Sequence, residues 1–80
     1  MTDIESKVKT WIEKHLNQTI HDPNQDLLDL GALDSLGAID MLTDLEREFG
    51  VTISFSEYTR PDFFSIQSIT ETLNKTLQQL

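Results

Sequence analysis

Nucleophilic or acid–base chemistry needs a thiol, an imidazole, or a hydroxyl beside a base. This chain offers few of them. It has no cysteine, which excludes disulfides and thiolate-bound metals. His15 and His21 are its only histidines. His15 lies on the first predicted helix between Lys14 and Leu16 and His21 in the loop after it, in keeping with ordinary surface side chains. They form neither an H-x-x-x-H nor an H-E-x-x-H pair. Ser35 has Gly31 four residues before it and Gly37 two after, which is not the G-x-S-x-G elbow. With only 3 glycines there is no phosphate-cradling glycine loop. Asp22, Asp26 and Asp29 lack the spacing of a calcium loop. The sequence therefore reads as a non-enzyme without a metal site.

The stretch Gly31-Ala32-Leu33-Asp34-Ser35-Leu36-Gly37 is the remaining place where chemistry could reside. It lies where a helix begins. With Asp34 as N-cap, its carboxylate accepts the amide of Leu36 or Gly37. Ser35 then occupies the first helical position, where its hydroxyl is not needed for capping and can face solvent. A phosphate on that oxygen would meet the positive end of the helix and its unclaimed N–H groups. The plainer reading of a serine here is a cap and nothing more.

The elements around this junction follow from periodicity. The spacing predicts a first helix over 2–17, with Ile4, Val8, Trp11, Ile12 and Leu16 on one face. Thr2 and Glu5 have capping-box spacing, and Trp11 is expected to be the largest apolar anchor. Residues 18–33 read as a long loop, with Asp22-Pro23-Asn24 as a turn. Leu27, Leu28, Leu30 and Leu33 are expected to pin that loop to the bundle, and Asp26–Asp29 to form a single helical turn. The second helix is predicted over 35–49, with Ala38, Met41, Leu42, Leu45 and Phe49 inward and Asp40, Asp44, Glu46 and Glu48 outward; Gly50 stops it. Val51, Ile53 and Phe55 alternate with polar residues, which suits an extended packed linker. Ser56 is expected to cap a short turn through Thr59, ended by Pro61, and Asp62–Phe64 to form another. Ser65 opens the last helix, with Ile66, Ile69, Leu73, Leu77 and Leu80 on one face and a second capping-box pair in Ser68 and Glu71. The fold class is all-α: three principal helices, one short helix and a long first loop, in a single domain over 1–80.

Charge limits the partners. Six Lys and Arg against 14 Asp and Glu leave a net charge of −8. Nucleic acid and anionic membranes are disfavoured, and basic proteins are favoured. Between residues 22 and 48, eight acids face Arg47 alone, so this stretch carries −7 of the total. No run of apolar residues approaches membrane-spanning length, and no signal-peptide pattern is visible. The expected compartment is the cytoplasm.

Asp34-Ser35-Leu36 resembles the attachment motif of the acyl and peptidyl carrier proteins. Here it follows Leu30-Gly31-x-Leu33 and precedes an acidic helix ending Leu45-Glu46-x-Glu48-Phe49-Gly50, after a long leucine-bearing loop. The resemblance spans essentially the whole chain and implies a four-helix bundle of acyl-carrier-protein type. Within that family, Val51-Thr52-Ile53, Glu57-Tyr58-Thr59-Arg60 and Phe63-x-Ser65 look like the D-alanyl carrier proteins. Pro61, a Phe at 63 where Trp is usual, and Gly37-Ala38 in place of Gly-Thr depart from that pattern.

The resemblance implies a monomeric carrier rather than an enzyme. Ser35, flanked by Asp34 and Leu36, would receive 4′-phosphopantetheine from a phosphopantetheinyl transferase. The group would then hold an acyl or aminoacyl cargo as a thioester, its sulfur supplied by the prosthetic group. Asp40, Asp44, Glu46 and Arg47, with apolar Leu36 and Ile39, would face basic patches on ligases or synthases. Ile39 fits the core equally well. A fatty-acid or polyketide acyl carrier is the alternative to an aminoacyl carrier. A small helical interaction module without a prosthetic group, or a phosphoserine-regulated domain, are the alternatives from other classes.

Overall fold

The structure is a computed structural model that describes residues 3–30 and 34–78, with Asp3 and Ser35 described by their backbone alone. Among the described residues four helices follow one another: α1 (Asp3–Leu16), α2 (Ser35–Phe49), α3 (Phe55–Tyr58) and α4 (Ile66–Gln78). No strand occurs among the described residues, and the all-helical class is borne out. The proposed cap at Thr2, the loop anchor Leu33 and the final Leu80 lie outside the described residues.

The helical stripes meet in one core. Val8 and Ile12 of α1, Met41 and Leu45 of α2, and Ile69 and Leu73 of α4 are fully buried. Each such side chain contributes roughly 1.5–3 kcal/mol of hydrophobic stabilisation. Among the described helices, α1 packs most closely on α4. The expected anchor Trp11 is only half-buried, and its ring stacks on His15 at 5.0 Å. The largest fully buried side chain is instead Phe63, which meets Phe64 edge to face. An indole on α1 can cover the rim of this narrow core, whereas the loop before α4 delivers Phe63 straight into it.

The long first connection is held from both ends. Asn17 leaves α1 with a left-handed φ of 54°, and the Gln18 N–H returns to the Glu13 carbonyl. Asparagine tolerates that conformation and so ends the helix. The Ile20 N–H donates to the Glu13 carboxylate and its side chain is buried, an anchor that its polar neighbours concealed in the sequence. Asp22 and Asp26 each accept a backbone N–H two residues ahead, forming local turns. The segment from Asp26 to Asp29 is one hydrogen-bonded turn, not a helix. Leu27 is fully buried, and its N–H donates to the Phe64 carbonyl at 2.8 Å. The Pro23 carbonyl in turn accepts the Gln67 N–H.

The exit of α2 depends on Glu46. Gly50 takes a φ of 67°, and its N–H and that of Val51 both reach the Glu46 carbonyl. The Glu46 side chain, expected to face outward, is half-buried and accepts the Ile53 N–H. Val51 and Ile53 are buried as anticipated, but Phe55 is 71% exposed. Helix α3 starts at Phe55, so the two-residue alternation that would have turned the ring inward is lost. The N-cap position is Ser54, not Ser56, and it makes no side-chain capping bond. Pro61 and Asp62 lie in a turn closed by the Phe63 N–H on the Arg60 carbonyl, one residue earlier than expected. The cap of α4 is Ser65, whose Oγ accepts the Ser68 N–H. Ser68 therefore sits inside the first turn and donates to the Asp62 carbonyl, while Glu71 accepts from Gln67. This corrects the Ser68–Glu71 capping box: burial of Phe64 and Ser65 fixes the helix start one turn earlier.

Helix α3 buries no side chain. Its tie to α4 is the Glu57 carboxylate, 2.8 Å from the Lys75 ammonium and 3.4 Å from the Arg60 guanidinium. The hydrogen bond from Lys75, with the charges of Lys75 and Arg60, holds the Glu57 carboxyl below its ordinary 4.5 despite some desolvation. A depressed carboxyl contributes stability above its unfolded value and loses it as pH falls through the folded one. Acidification below 4.5 should therefore loosen α3 before the core melts, seen as faster amide exchange at Tyr58 and Thr59. Glu57→Gln should show that faster exchange already at neutral pH and remove the acid step.

Candidate functional site

The junction predicted from sequence has the expected geometry. Asp34 is extended, with φ −100° and ψ −178°, and caps α2. Its Oδ1 accepts the Gly37 N–H at 2.6 Å, and its carbonyl accepts the Ala38 N–H at 2.8 Å. Ser35 is the first residue of the helix. The N–H groups of Ser35 and Leu36 belong to the first turn and have no intrahelical acceptor. No acidic side chain lies in that turn, and the Asp34 carboxylate at the cap faces the positive helix end.

Next to Ser35, Leu36 is 78% exposed and Ile39 is 42% exposed. Ile39 thus stands outside the core, which settles the alternative its spacing left open. Ala38, on the opposite side, is buried. Asp34, Asp40, Asp44 and Glu48 are exposed along the outward face. Arg47 lies 3.5 Å from Asp44, an exposed pair of small energetic weight. Glu46 is the one predicted member of the acidic face that is turned aside, to the Ile53 N–H. Among the described residues no group of acidic or histidine side chains could hold a metal ion.

A serine-linked phosphate fits this junction. The neighbours Asp34 and Leu36 are both exposed, the two leading N–H groups have no intrahelical acceptor, and the helix end is positive. Sequence reasoning missed Phe55, the third large apolar side chain left exposed, whose ring packs edge to face on Tyr58 at 5.4 Å. A helix start at Ser54-Phe55, with Glu57 in its first turn, was the signal that could have revealed it.

Removing the cap should loosen the start of α2. Asp34→Ala should cost about 1 kcal/mol in urea denaturation, and Asp34→Asn a smaller fraction, because asparagine still accepts the Gly37 N–H. Equal losses for the two variants would mean that charge, not the capping bond, holds the junction.

Comparison with known proteins places this geometry in a family. The family model described as "Phosphopantetheine attachment site" matches residues 6–74. The D-alanyl carrier protein of Streptococcus mutans is 34% identical over 70 residues, covering 86% of this chain and 89% of that protein. That of Streptococcus sanguinis is 33% identical over 70 residues, with the same 86% and 89% coverage. That of Streptococcus gordonii is 30% identical, again over 70 residues. Such domains are non-catalytic carriers to which 4′-phosphopantetheine is covalently attached, and they work with phosphopantetheinyl transferases and ligases. With its cap, its leading serine and its helical architecture all in the expected places, the chain belongs to the phosphopantetheine-attachment family of carrier proteins.

Proposed function

We propose that residues 1–80 act as one carrier domain in which Ser35 bears the 4′-phosphopantetheine and an aminoacyl group, D-alanine by likeness to its relatives, is the cargo. The observation that supports this most directly is the position of Ser35 as the first residue of α2, beside an Asp34 that already performs the capping. A transferase can then modify the serine without loss of the helix start. The attached group would supply the thiol on which the cargo is carried.

The chain's own residues present that group. Leu36 and Ile39 offer an apolar contact close to the serine, and Asp40 and Asp44 continue the face as exposed negative charge. A ligase or synthase with a Lys/Arg patch is steered onto such a face at long range and held weakly at short range. Glu46 stays with the linker, so Asp40 and Asp44 make up the electrostatic part of the docking face. No described helix is long and apolar enough to cross a membrane. The carrier is monomeric and cytoplasmic on this reading.

Incubation with coenzyme A and a phosphopantetheinyl transferase should add one phosphopantetheinyl mass to the wild-type chain and none to Ser35→Ala, with both chains equally helical. Loading of the alanine variant would place the attachment elsewhere. Further incubation with ATP, D-alanine and a D-alanyl carrier ligase should add one alanyl mass; a gain only with a fatty acid and its synthetase would make it an acyl carrier. Asp40→Lys with Asp44→Lys should slow association with the transferase by roughly tenfold at low salt and flatten its salt dependence, leaving the melting temperature within a few degrees.

A further inference from the structure

Four of the six cationic side chains are engaged with carboxylates: Lys9 with Glu13, Arg47 with Asp44, and Arg60 and Lys75 with Glu57. Lys7 and Lys14 have no such partner among the described side chains, although the chain holds 14 acids. Both line the same open groove, of about 560 Å³, between α1 and the end of α2. The half-buried rings of Trp11 and Phe49 lie in that groove, with Glu48 on its far wall. His15, stacked on Trp11, extends the wall next to Lys14. The chain thus carries an apolar floor beside two ammonium groups that no described carboxylate engages, on a protein of net charge −8.

We infer that this groove is a second docking surface, for an acidic amphipathic helix of a partner protein. Its apolar side chains would rest on Trp11 and Phe49, and its carboxylates would reach Lys7 and Lys14. Seven residues separate the two lysines, about 10 Å along α1 at 1.5 Å per residue. Acids seven apart on a partner helix match that span, with apolar residues three and four positions after the first acid. Glu48 disfavours a longer acidic run on its own side of the groove. The 15-residue α2 puts Phe49 about 20 Å along its axis from Ser35. A partner held here leaves the start of α2 open, so one protein could retain the carrier while another works at the serine.

The test uses the full chain and a 15-residue helical peptide with glutamates at positions 4 and 11, leucines at 7 and 8, and an alanine–glutamine background. Amide and indole shifts are expected at Thr10, Trp11, Lys14 and Phe49, and not at Leu36 to Asp40. Lys7→Glu with Lys14→Glu, both at exposed positions, should weaken the peptide roughly tenfold and reverse the sign of its salt dependence. Transferase loading at Ser35 should proceed unchanged with the peptide bound. The inference is overturned by absent shifts in the groove, by shifts that the double variant retains, or by equal binding of the same peptide with lysines for glutamates. Self-association of the chain in sedimentation that the double variant removes would assign the groove to a second copy instead. Binding to anionic phospholipid vesicles that the variant removes would assign it to a membrane surface.

Discussion

The hydrogen bond from the Leu27 N–H to the Phe64 carbonyl joins the long first connection to the residues that start α4. Its reach is extended by the Pro23 carbonyl, which accepts the Gln67 N–H in the first turn of that helix. A connection of this length without structure of its own is normally loose. Here it supplies two core side chains, Ile20 and Leu27, and it caps a helix distant in sequence. A small chain without cysteine has one core and no covalent staple, so the loop must help to build it. The path from α1 to the serine-bearing start of α2 is thereby tied to α4.

The same economy appears at the other end of α2. Glu46 gathers the N–H groups of Gly50 and Val51 on its carbonyl and that of Ile53 on its carboxylate. That single residue ends the helix and guides the next segment into the core through Val51 and Ile53. Helix α3, next in the chain, is held by the half-buried Tyr58 ring packed against the core and by the charges of Glu57, Lys75 and Arg60. Helix α2 therefore has firm ends and an outer face that contributes little to folding. Such a face can carry negative charge and exposed Leu36 and Ile39 at little cost to stability.

Charge is divided unevenly over the molecule. The acids from Asp22 to Glu48 are of two kinds. Asp22, Asp26, Asp34 and Glu46 accept nearby backbone N–H groups, while Asp29, Asp40, Asp44 and Glu48 are exposed carboxylates on the surface. The two lysines beside Trp11 are the opposite case, cations that no described carboxylate engages in an acidic chain.

The amino-acid sequence by itself determined the three long helices, the Asp34 cap, the place of Ser35 at the first helical position and the glycine stop at Gly50. These depend on contacts within four residues, and spacing and residue type record such contacts directly. The family was legible for the same reason, since Asp34-Ser35-Leu36 and its acidic helix are contiguous. Tertiary structure alone decided the rest. Ile20 is buried because its isolated side chain meets a core assembled from other segments, and no period announces it. Trp11 is left half-covered because Phe63, far along the chain, takes the central space. Phe55 faces solvent and Glu46 turns to Ile53 because α3 begins where the linker's alternation would have continued. Ser65 opens α4 as its sequence suggested, but the second capping box at Ser68 and Glu71 is not used, because Ser68 lies inside the first turn and donates to the Asp62 carbonyl. In each case two segments distant in sequence compete for the same space or the same hydrogen-bond partner, and only the packed chain resolves which of them prevails.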